Sequence, residues 1–263
     1  MDLSYRVYRC QRDQKPESHF HENYEILLAL NNDGTFFVRE KSYQLQYGTA
    51  FILNQFEIHH CFCTGPQDYD RYIIQFSGET LADVSTRHTD LISLFNNSPL
   101  TVSFPAETLQ EMLSILNRLA SPPSDSFGED IHRNICFERL LLIIAQAIKN
   151  CISIPLLEFN RTDRLDSILK YIHANFNKQI SLDTITKEFF LSKSRVNQIF
   201  RSATGFSIGD YIITYRITRA CKLLKQGVPA QEVSKMVGFK GYTHFMRTFK
   251  KKTGFSPGEF IKG

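Results

Sequence analysis

The segment Thr204-Gly-Phe-Ser-Ile-Gly-Asp-Tyr-Ile212 recurs forty-nine residues later as Thr253-Gly-Phe-Ser-Pro-Gly-Glu-Phe-Ile261. The same offset relates Phe200 to Phe249. A repeat of this kind decides the architecture, because both copies have to adopt the same local structure. The last hundred residues are therefore predicted to contain two copies of one helical unit.

Each copy carries the signals that begin and end short helices. Ser256, Pro257 and Glu259 supply the N-cap, the first helical position and the third position of a capping box. Gly205 and Gly254 stand where the preceding helix has to end, because glycine tolerates the left-handed conformation of that position. The repeat is therefore predicted to be helical throughout.

The helix that precedes each of these glycines has one apolar and one polar face. These helices are predicted over Lys193–Ala203 and Tyr242–Lys252, after shorter helices over Leu182–Phe190 and Ala230–Val237, so that each copy forms a helix-turn-helix. Arg, Asn and Gln can donate paired hydrogen bonds to base edges, and Lys, Ser and Thr can hold phosphates. The predicted DNA contacts are Lys193, Ser194, Arg195, Asn197, Gln198, Arg201, Lys240, Tyr242, Thr243, His244, Arg247, Lys250 and Lys251.

Charge is distributed unevenly along the 263 residues, whose net charge is +4. Residues 160–263 contain 19 Lys and Arg against 7 Asp and Glu, whereas residues 1–159 contain 12 against 20. A basic segment joined to an acidic one predicts that only the basic part meets a polyanion such as double-stranded DNA.

Residues 165–263 resemble the tandem helix-turn-helix domain of AraC/XylS-type bacterial transcription regulators. The residues that carry the resemblance are Val237-Gly-Phe239, Phe245, Arg247, Phe249-Lys-Lys251, Gly254, Phe255-Ser-Pro257, Ser194, Phe200, Thr204-Gly205, Arg216 and Ala220. The resemblance implies two recognition helices in successive major-groove segments, joined by a long helix over Ser207–Gln226 and about one helical turn, ~34 Å, apart. Gly241, Tyr242 and Met246 depart from the small or polar residues that are usual in the family.

The first hundred residues contain short apolar runs separated by turn residues, which predicts a small β-barrel or sandwich. The runs are Tyr24–Leu30, Thr35–Val38, Tyr43–Tyr47, Thr49–Leu53 and Tyr72–Phe76. The first two flank a Gly-containing turn and are predicted to form a hairpin. After Glu79 the pattern becomes helical, with an amphipathic helix from Pro105 and a second helix over Gly128–Asn150. Because the second helix is apolar on more than one side, it is predicted to pack on the barrel and on a second subunit, although simple burial explains the pattern equally well.

A further candidate site consists of four residues: His19, His21, Glu25 and His59. His19 and His21 are two residues apart, so on a strand their side chains would face the same way. With the spacing from Gly48 to His59 the four residues resemble the two motifs of cupin barrels, in which three histidines and one glutamate bind a metal in the enzymatic members. Asn54 and Phe56 depart from those motifs. The AraC-type resemblance implies a cupin-like sensor in which the four residues line an effector site, and neither a metal nor a cofactor is expected.

The predicted fold class is α+β, with an N-terminal cupin-like barrel and appended helices followed by an all-α domain of two helix-turn-helix motifs. The domains are predicted over residues 1–151 and 163–263, with a linker over 152–162 where Pro155 interrupts helical periodicity. The six cysteines lack Cys-x-x-Cys pairs and no signal peptide or membrane-spanning run is evident, so reduced thiols in a cytoplasmic protein are expected.

The resulting hypothesis is a sequence-specific DNA-binding transcription regulator, expected to be an activator and not an enzyme. Its expected partners are double-stranded DNA, RNA polymerase, a small-molecule effector and a second copy of itself. Two alternatives remain open: a metal-dependent cupin enzyme localised to DNA by its helical domain, and a regulator controlled by a protein partner. The sequence contains no phosphate-binding G-x-x-x-x-G-K-[ST] loop.

Overall fold

A computed structural model of the chain describes residues 3–11, 19–32, 34–63, 70–150 and 163–262. The fold is α+β as predicted, with a sheet-rich N-terminal domain and a helical C-terminal domain. The strands are β1 (Tyr5–Cys10), β2 (Tyr24–Ala29), β3 (Gly34–Val38), β4 (Lys41–Gln44), β5 (Thr49–Leu53), β6 (His59–Cys63), β7 (Arg71–Phe76) and β8 (Thr101–Ser103). The predicted linker over 152–162 lies outside the described residues.

The strands form two antiparallel sheets instead of one closed barrel among the described residues. The larger sheet has the order β1-β7-β2-β5-β8 and the smaller one β4-β3-β6. The predicted hairpin between the first two apolar runs is therefore wrong: β2 pairs with β5 and β7, and β3 pairs with β4 and β6. Both edges of β2 are already occupied, so the chain crosses to the other sheet before β3 begins.

Strand β2 is buried on both faces, which explains why its sequence shows no polar alternation. Leu27 and Ala29 lie between the two sheets, together with Phe36. Ile26 and Leu28 lie on the opposite face, in the core that the larger sheet forms with its helices. Glu25 precedes Ile26, so strand alternation places its carboxylate on the inner side of the sandwich.

Four helices accompany the sheets in the described part of the chain: α1 (Gly78–Val84), α2 (Leu91–Asn96), α3 (Ala106–Ala120) and α4 (Glu129–Lys149). Helix α4 buries Phe137, Leu141 and Ile144 in the core of the larger sheet. Its other side exposes an apolar stripe, with Ile131 60%, Ile135 57% and Leu142 41% accessible. The helix is thus apolar on two sides, as its sequence predicts, and only one of them is buried within the described part of the chain.

The C-terminal domain consists of α5 (Asp163–Asn175), α6 (Leu182–Phe189), α7 (Lys193–Thr204), α8 (Ile208–Lys225), α9 (Ala230–Met236), α10 (Tyr242–Thr253) and α11 (Pro257–Lys262). Helix α8 contributes side chains to both hydrophobic cores of this domain. The first half of α8 places Tyr211 against Phe200 of α7, and the second half places Leu224 in one cluster with Phe245 and Phe249 of α10. Two helical units joined by one long helix are therefore present.

The predicted caps are formed in both units. The Ser256 amide donates to the Glu259 carboxylate at 2.7 Å, and the Glu259 amide donates to Ser256 Oγ at 3.3 Å. Gly205 and Gly254 end α7 and α10 with φ of 73° and 84°.

The repeat equates Phe190 with Phe239, but the two side chains differ in burial. Phe239 is 7% exposed and Phe190 is 94% exposed. In the second unit the left-handed position belongs to Gly238, one residue before the phenylalanine, whereas in the first unit Phe190 itself has a φ of 52°. The different turn therefore directs one ring inwards and the other to solvent.

The outer face of the smaller sheet packs on the C-terminal domain. Phe37 of β3 lies with its ring centroid 6.1 Å from that of Phe206 and joins the core of the first helical unit. Ser42 Oγ donates a hydrogen bond to the carbonyl oxygen of Ala203 at the end of α7. The ring of His60 lies against Gly205, which leaves no room there for a Cβ atom. The domain contact therefore includes the last turn of α7.

The two C-cap glycines provide a test of this contact. A Cβ at Gly254 meets open space, so Gly254→Ala should cost only the left-handed strain of about 1–2 kcal/mol. Gly205→Ala adds displacement of the His60 ring to the same strain and should lower the free energy of unfolding further, as measured by urea denaturation. In a His60→Ala background the two losses should become equal. A difference that persists there would contradict the assigned contact.

Candidate nucleic-acid interface and ligand site

Helix α7 separates a buried from an exposed face at the predicted residues. Ser192 caps the helix by accepting the Arg195 amide at 3.2 Å. Val196 and Phe200 are fully buried in the first core. On the outer face, Arg195 Nη1 donates to Gln198 Oε1 at 2.9 Å, so the two polar side chains lie side by side.

Helix α10 repeats this arrangement in the second unit. Phe245 and Phe249 are fully buried and anchor the helix. Thr243, His244 and Arg247 lie on its exposed face. Of the thirteen predicted DNA contacts, twelve are exposed and Asn197 is partly buried.

The side chain of Arg216 makes its contacts within the C-terminal domain. Its Nε donates to the carbonyl oxygen of Phe176 and its Nη2 to that of Lys178, each at 2.7 Å. The guanidinium also lies 5.9 Å from the ring centroid of Phe239. This family-signature residue therefore ties α8 to the segment between α5 and α6 and to the second unit, which holds the two units in one orientation.

The four predicted effector-site residues come together in the N-terminal domain. Each of His19, His21, Glu25 and His59 offers a ligand atom, and these atoms all lie within 4.8 Å of one another. Backbone bonds join the segments, because the His59 amide donates to the His19 carbonyl oxygen at 3.2 Å. We call this group the histidine–glutamate cluster.

Hydrogen bonds orient the side chains of the cluster. His21 Nδ1 lies 2.9 Å from the Asn23 carbonyl oxygen, and His21 Nε2 lies 2.9 Å from Glu25 Oε2. Gln75 Nε2 donates to Glu25 Oε2 at 2.7 Å. Sequence reasoning missed Gln75, because only the pairing of β7 with β2 places it opposite Glu25.

His59 presents a bare nitrogen to the cluster. Its Nδ1 lies 2.9 Å from the Glu57 carbonyl oxygen, which accepts the N–H and leaves the lone pair on Nε2. His59 is 3% exposed, and its Nε2 has no hydrogen-bond partner among the described residues. The nearest acidic atom, Glu25 Oε1, is 3.6 Å away.

Burial and neighbouring groups determine the protonation states of His59 and Glu25. Burial lowers the pKa of His59, so its imidazole is neutral at neutral pH. Burial alone would raise the pKa of Glu25, but the neighbouring imidazoles of His59 and His21 and the Gln75 amide outweigh it and hold that pKa at about 2. The cluster therefore offers a carboxylate beside a neutral imidazole.

This chemistry fits a divalent cation. Imidazole nitrogen and carboxylate oxygen are ligands of Zn²⁺ and of other first-row transition metals. His19, Glu25 and His59 themselves line a cavity of about 130 Å³, together with Tyr8, Leu27, Phe36, Ile73 and the buried Arg71. Cys61 also lines it, and Cys61, Cys10, Cys136 and Cys221 are not in disulfides within the described part of the chain.

A sheet-rich domain with an internal polar cluster, followed by two helix-turn-helix units, defines a two-domain DNA-binding regulator. Residues 3–135 match the AraC-like ligand binding domain, and residues 185–263 match a helix-turn-helix domain. The chain belongs to the AraC family of DNA-binding transcription regulators and has an N-terminal ligand-binding domain. The family resemblance, the fold class and the helix-turn-helix prediction are thereby confirmed.

The chain is similar along most of its length to regulators from several bacteria. It is 26% identical over 268 residues to the Msm operon regulatory protein of Streptococcus mutans, covering 99% of this chain and 93% of that protein. It is 23% identical over 263 residues to the transcriptional activator RhaS of Shigella dysenteriae, covering 94% and 88%. The structure of unsaturated fatty acid bound ToxT from Vibrio cholerae aligns over 98% of this chain and 94% of that chain, with 13% identity and a TM-score of 0.41. Within the described residues, every helix is too short or too polar to cross a bilayer.

The lowered pKa values of His59 and Glu25 predict how the free energy of unfolding depends on pH. Below about pH 6.5 the unfolded chain takes up a proton that the folded chain excludes from His59, so the free energy of unfolding should fall as the pH falls. Glu25 adds a second loss below its ordinary pKa of 4.5, because its folded pKa is lower.

Urea denaturation in the presence of chelator, from pH 7.5 to 5, checks the His59 contribution. His59→Gln should flatten the loss of stability with falling pH, whereas His132→Gln, at an exposed position on α4, should leave it unchanged. Equal slopes for His59→Gln and the unaltered chain would contradict a neutral buried His59.

Proposed function

We propose that the chain is a sequence-specific transcription activator that reads two successive major-groove segments with α7 and α10. The observation that carries this proposal is that both helices are exposed on their polar faces and anchored to opposite halves of the single helix α8. Two such helices held in one body can enter the groove on one side of the duplex.

The exposed residues divide by chemistry into two roles. Arg195, Gln198 and Arg247 have the planar donors that suit base edges. Lys193, Lys250 and Lys251, with the remaining basic and hydroxyl residues, suit phosphates and supply the salt-dependent part of the affinity. The relative RhaS is named a transcriptional activator. This likeness supports activation, with RNA polymerase as the partner, for the present chain.

The proposed effector site is the histidine–glutamate cluster with the cavity that it helps to line. Residues 1–151 would form the sensing domain, 152–162 the linker and 163–263 the DNA-binding domain. An effector can change DNA binding only through different affinities for two arrangements of these domains. The packing of Phe37 and Ser42 against the first helical unit supplies one such arrangement. The relatives are regulators, and we propose no catalytic role.

We further propose that the protein forms a homodimer through α4. Ile131, Ile135 and Leu142 follow each other along one exposed side of the helix. An apolar stripe of this kind on a helix surface is typical of an interface between subunits.

Arg247→Ala tests base reading by the second unit. Because Arg247 is exposed on α10 and can donate two hydrogen bonds to one guanine, its loss should weaken the preferred site by ~1–3 kcal/mol and relax base choice at one position. Fluorescence anisotropy and selection from random DNA measure the two effects. Lys149→Ala removes one exposed cation from the N-terminal domain and should change neither. Unchanged affinity and base preference for Arg247→Ala would exclude Arg247 as a base reader.

Ile135→Asp tests the dimer. A carboxylate in the middle of the α4 stripe should prevent association, so the variant should sediment as a monomer at micromolar concentrations at which the unaltered chain is a dimer. Ile92→Asp, at an exposed apolar residue of α2, serves as the control and should remain dimeric. A monomeric unaltered chain would remove the dimer proposal.

A further inference from the structure

The three residues 19–21 connect the histidine–glutamate cluster to the second helical unit. His19 and His21 direct their imidazoles into the cluster. Phe20, between them, is 7% exposed and lies in the core of the second unit, in one cluster with Phe260 of α11. One short segment therefore carries two cluster side chains on one face and a domain contact on the other.

The turn before β6 makes the same kind of connection. Phe56 has a left-handed φ of 60°, and its amide donates to the His21 carbonyl oxygen at 2.8 Å. Its ring packs 5.9 Å from that of Phe260, centroid to centroid. Three residues later, His59 contributes the bare Nε2 of the cluster. The two phenylalanines that contact the second unit are thus both placed by cluster segments.

A lysine from the DNA-binding domain completes this contact. Lys225 Nζ, at the end of α8, lies 5.4 Å from the ring centroid of Phe56 and 5.9 Å from that of Phe260. Lys225 also pairs with Glu22, the residue after His21. The contact between the two domains therefore combines apolar packing, a cation over two rings and an ion pair. Phe20, Glu22 and Phe56 supply its N-terminal side, and all three lie in the segments that carry the histidine–glutamate cluster.

The geometry of the histidine–glutamate cluster suits a cation bound between its side chains. Both nitrogens of His21 face acceptor atoms, at 2.9 Å each, whereas a neutral imidazole carries only one N–H. The distances from Glu25 to His21 and to His59, 2.9 and 3.6 Å, bracket the ~3.4 Å that separates nitrogen and oxygen ligands ~2.1 Å from one tetrahedral ion. His59 Nε2 lies 3.6 Å from Glu25 Oε1 and has no hydrogen-bond partner among the described residues.

We propose that a divalent transition-metal ion binds His19, His21, Glu25 and His59, and that it stabilises the packing of Phe20 and Phe56 on the second helix-turn-helix unit. The proposal rests on the proposed function, because it names the ligand of the effector site and the route by which that ligand reaches the DNA-binding domain. An ion that binds the ordered segments but not the loosened ones shifts the population towards the packed arrangement.

Metal binding is tested first, on the full chain freed of metal with a chelator. Zn²⁺, Mn²⁺ and Ni²⁺ are titrated separately by calorimetry, and at least one should bind with one ion per chain. His21→Ala should lower that affinity by more than the ~10–100-fold typical of losing an outer partner of a metal ligand. The exposed His132→Ala should bind as the unaltered chain does. Absence of stoichiometric binding for all three ions would overturn the proposal.

The connection is tested by hydrogen exchange in the peptide that contains α11. Bound metal should slow its exchange several-fold in the unaltered chain and in His132→Ala. Phe20→Ala should still bind one ion, but the metal should no longer slow exchange in α11. If Phe20→Ala does not fold, Phe20→Leu, which keeps part of the contact, should show an intermediate effect.

Equal slowing in the Phe20 variant and the unaltered chain would overturn the connection, even if the metal binds. Sequence-selective DNA binding is measured in parallel on the same preparations. Selective binding without any metal effect would refute this inference and leave the proposed function intact. Loss of selective binding at every metal concentration would instead refute the proposed function.

Discussion

The packing of one helix into two cores determines how this molecule can meet DNA. Helix α8 has eighteen residues and is therefore about 27 Å long. Its first half is held by Phe200 of the first unit, and its second half lies among Phe245 and Phe249 of the second. Arg216 adds two hydrogen bonds that hold the units in a single orientation. The spacing of the two recognition helices is consequently a property of the fold.

The N-terminal domain packs on both of the helical units that α8 joins. Phe37 packs on the first unit, and Phe20 and Phe56 pack on the second, so the sheet domain spans both halves of α8. The recognition faces of α7 and α10 remain exposed in this arrangement. Docking of the domains therefore leaves the DNA-reading side chains accessible, and a change in the sensing domain has a short path to both units.

Local signals explain why the helical domain was predictable. The caps at Ser256 and Glu259 and the glycines that end α7 and α10 act within a few residues, so the sequence alone places them. The polar faces of the recognition helices follow from helical periodicity in the same way. The grouping of His19, His21, Glu25 and His59 was predicted through the likeness of their spacing to the cupin motifs. Strand alternation could relate only His19 to His21, and the structure gives this segment only an isolated bridge between His19 and His59.

Pairings between distant segments were not predictable from the sequence. The strands β2 and β3 are neighbours in sequence with a turn signal between them, yet each pairs elsewhere, because the partners of β2 come from later in the chain. The turn at Arg39 and Glu40 is left-handed without any glycine, so no residue marked it. Glu40 in that turn contacts His173 of α5 at 3.0 Å. Such contacts between domains leave no periodic signal in either segment.

The spacing of the two recognition helices is tested most directly by varying the distance between the half-sites of a selected operator. Sites are first selected from random DNA, and affinities are then measured for versions with about five base pairs, half a helical turn, inserted between the two parts. A single two-part motif, about one turn from centre to centre, that loses most of its affinity on this insertion is the predicted result. Affinity that is unchanged by the insertion would contradict two recognition helices held by α8 on one face of the duplex.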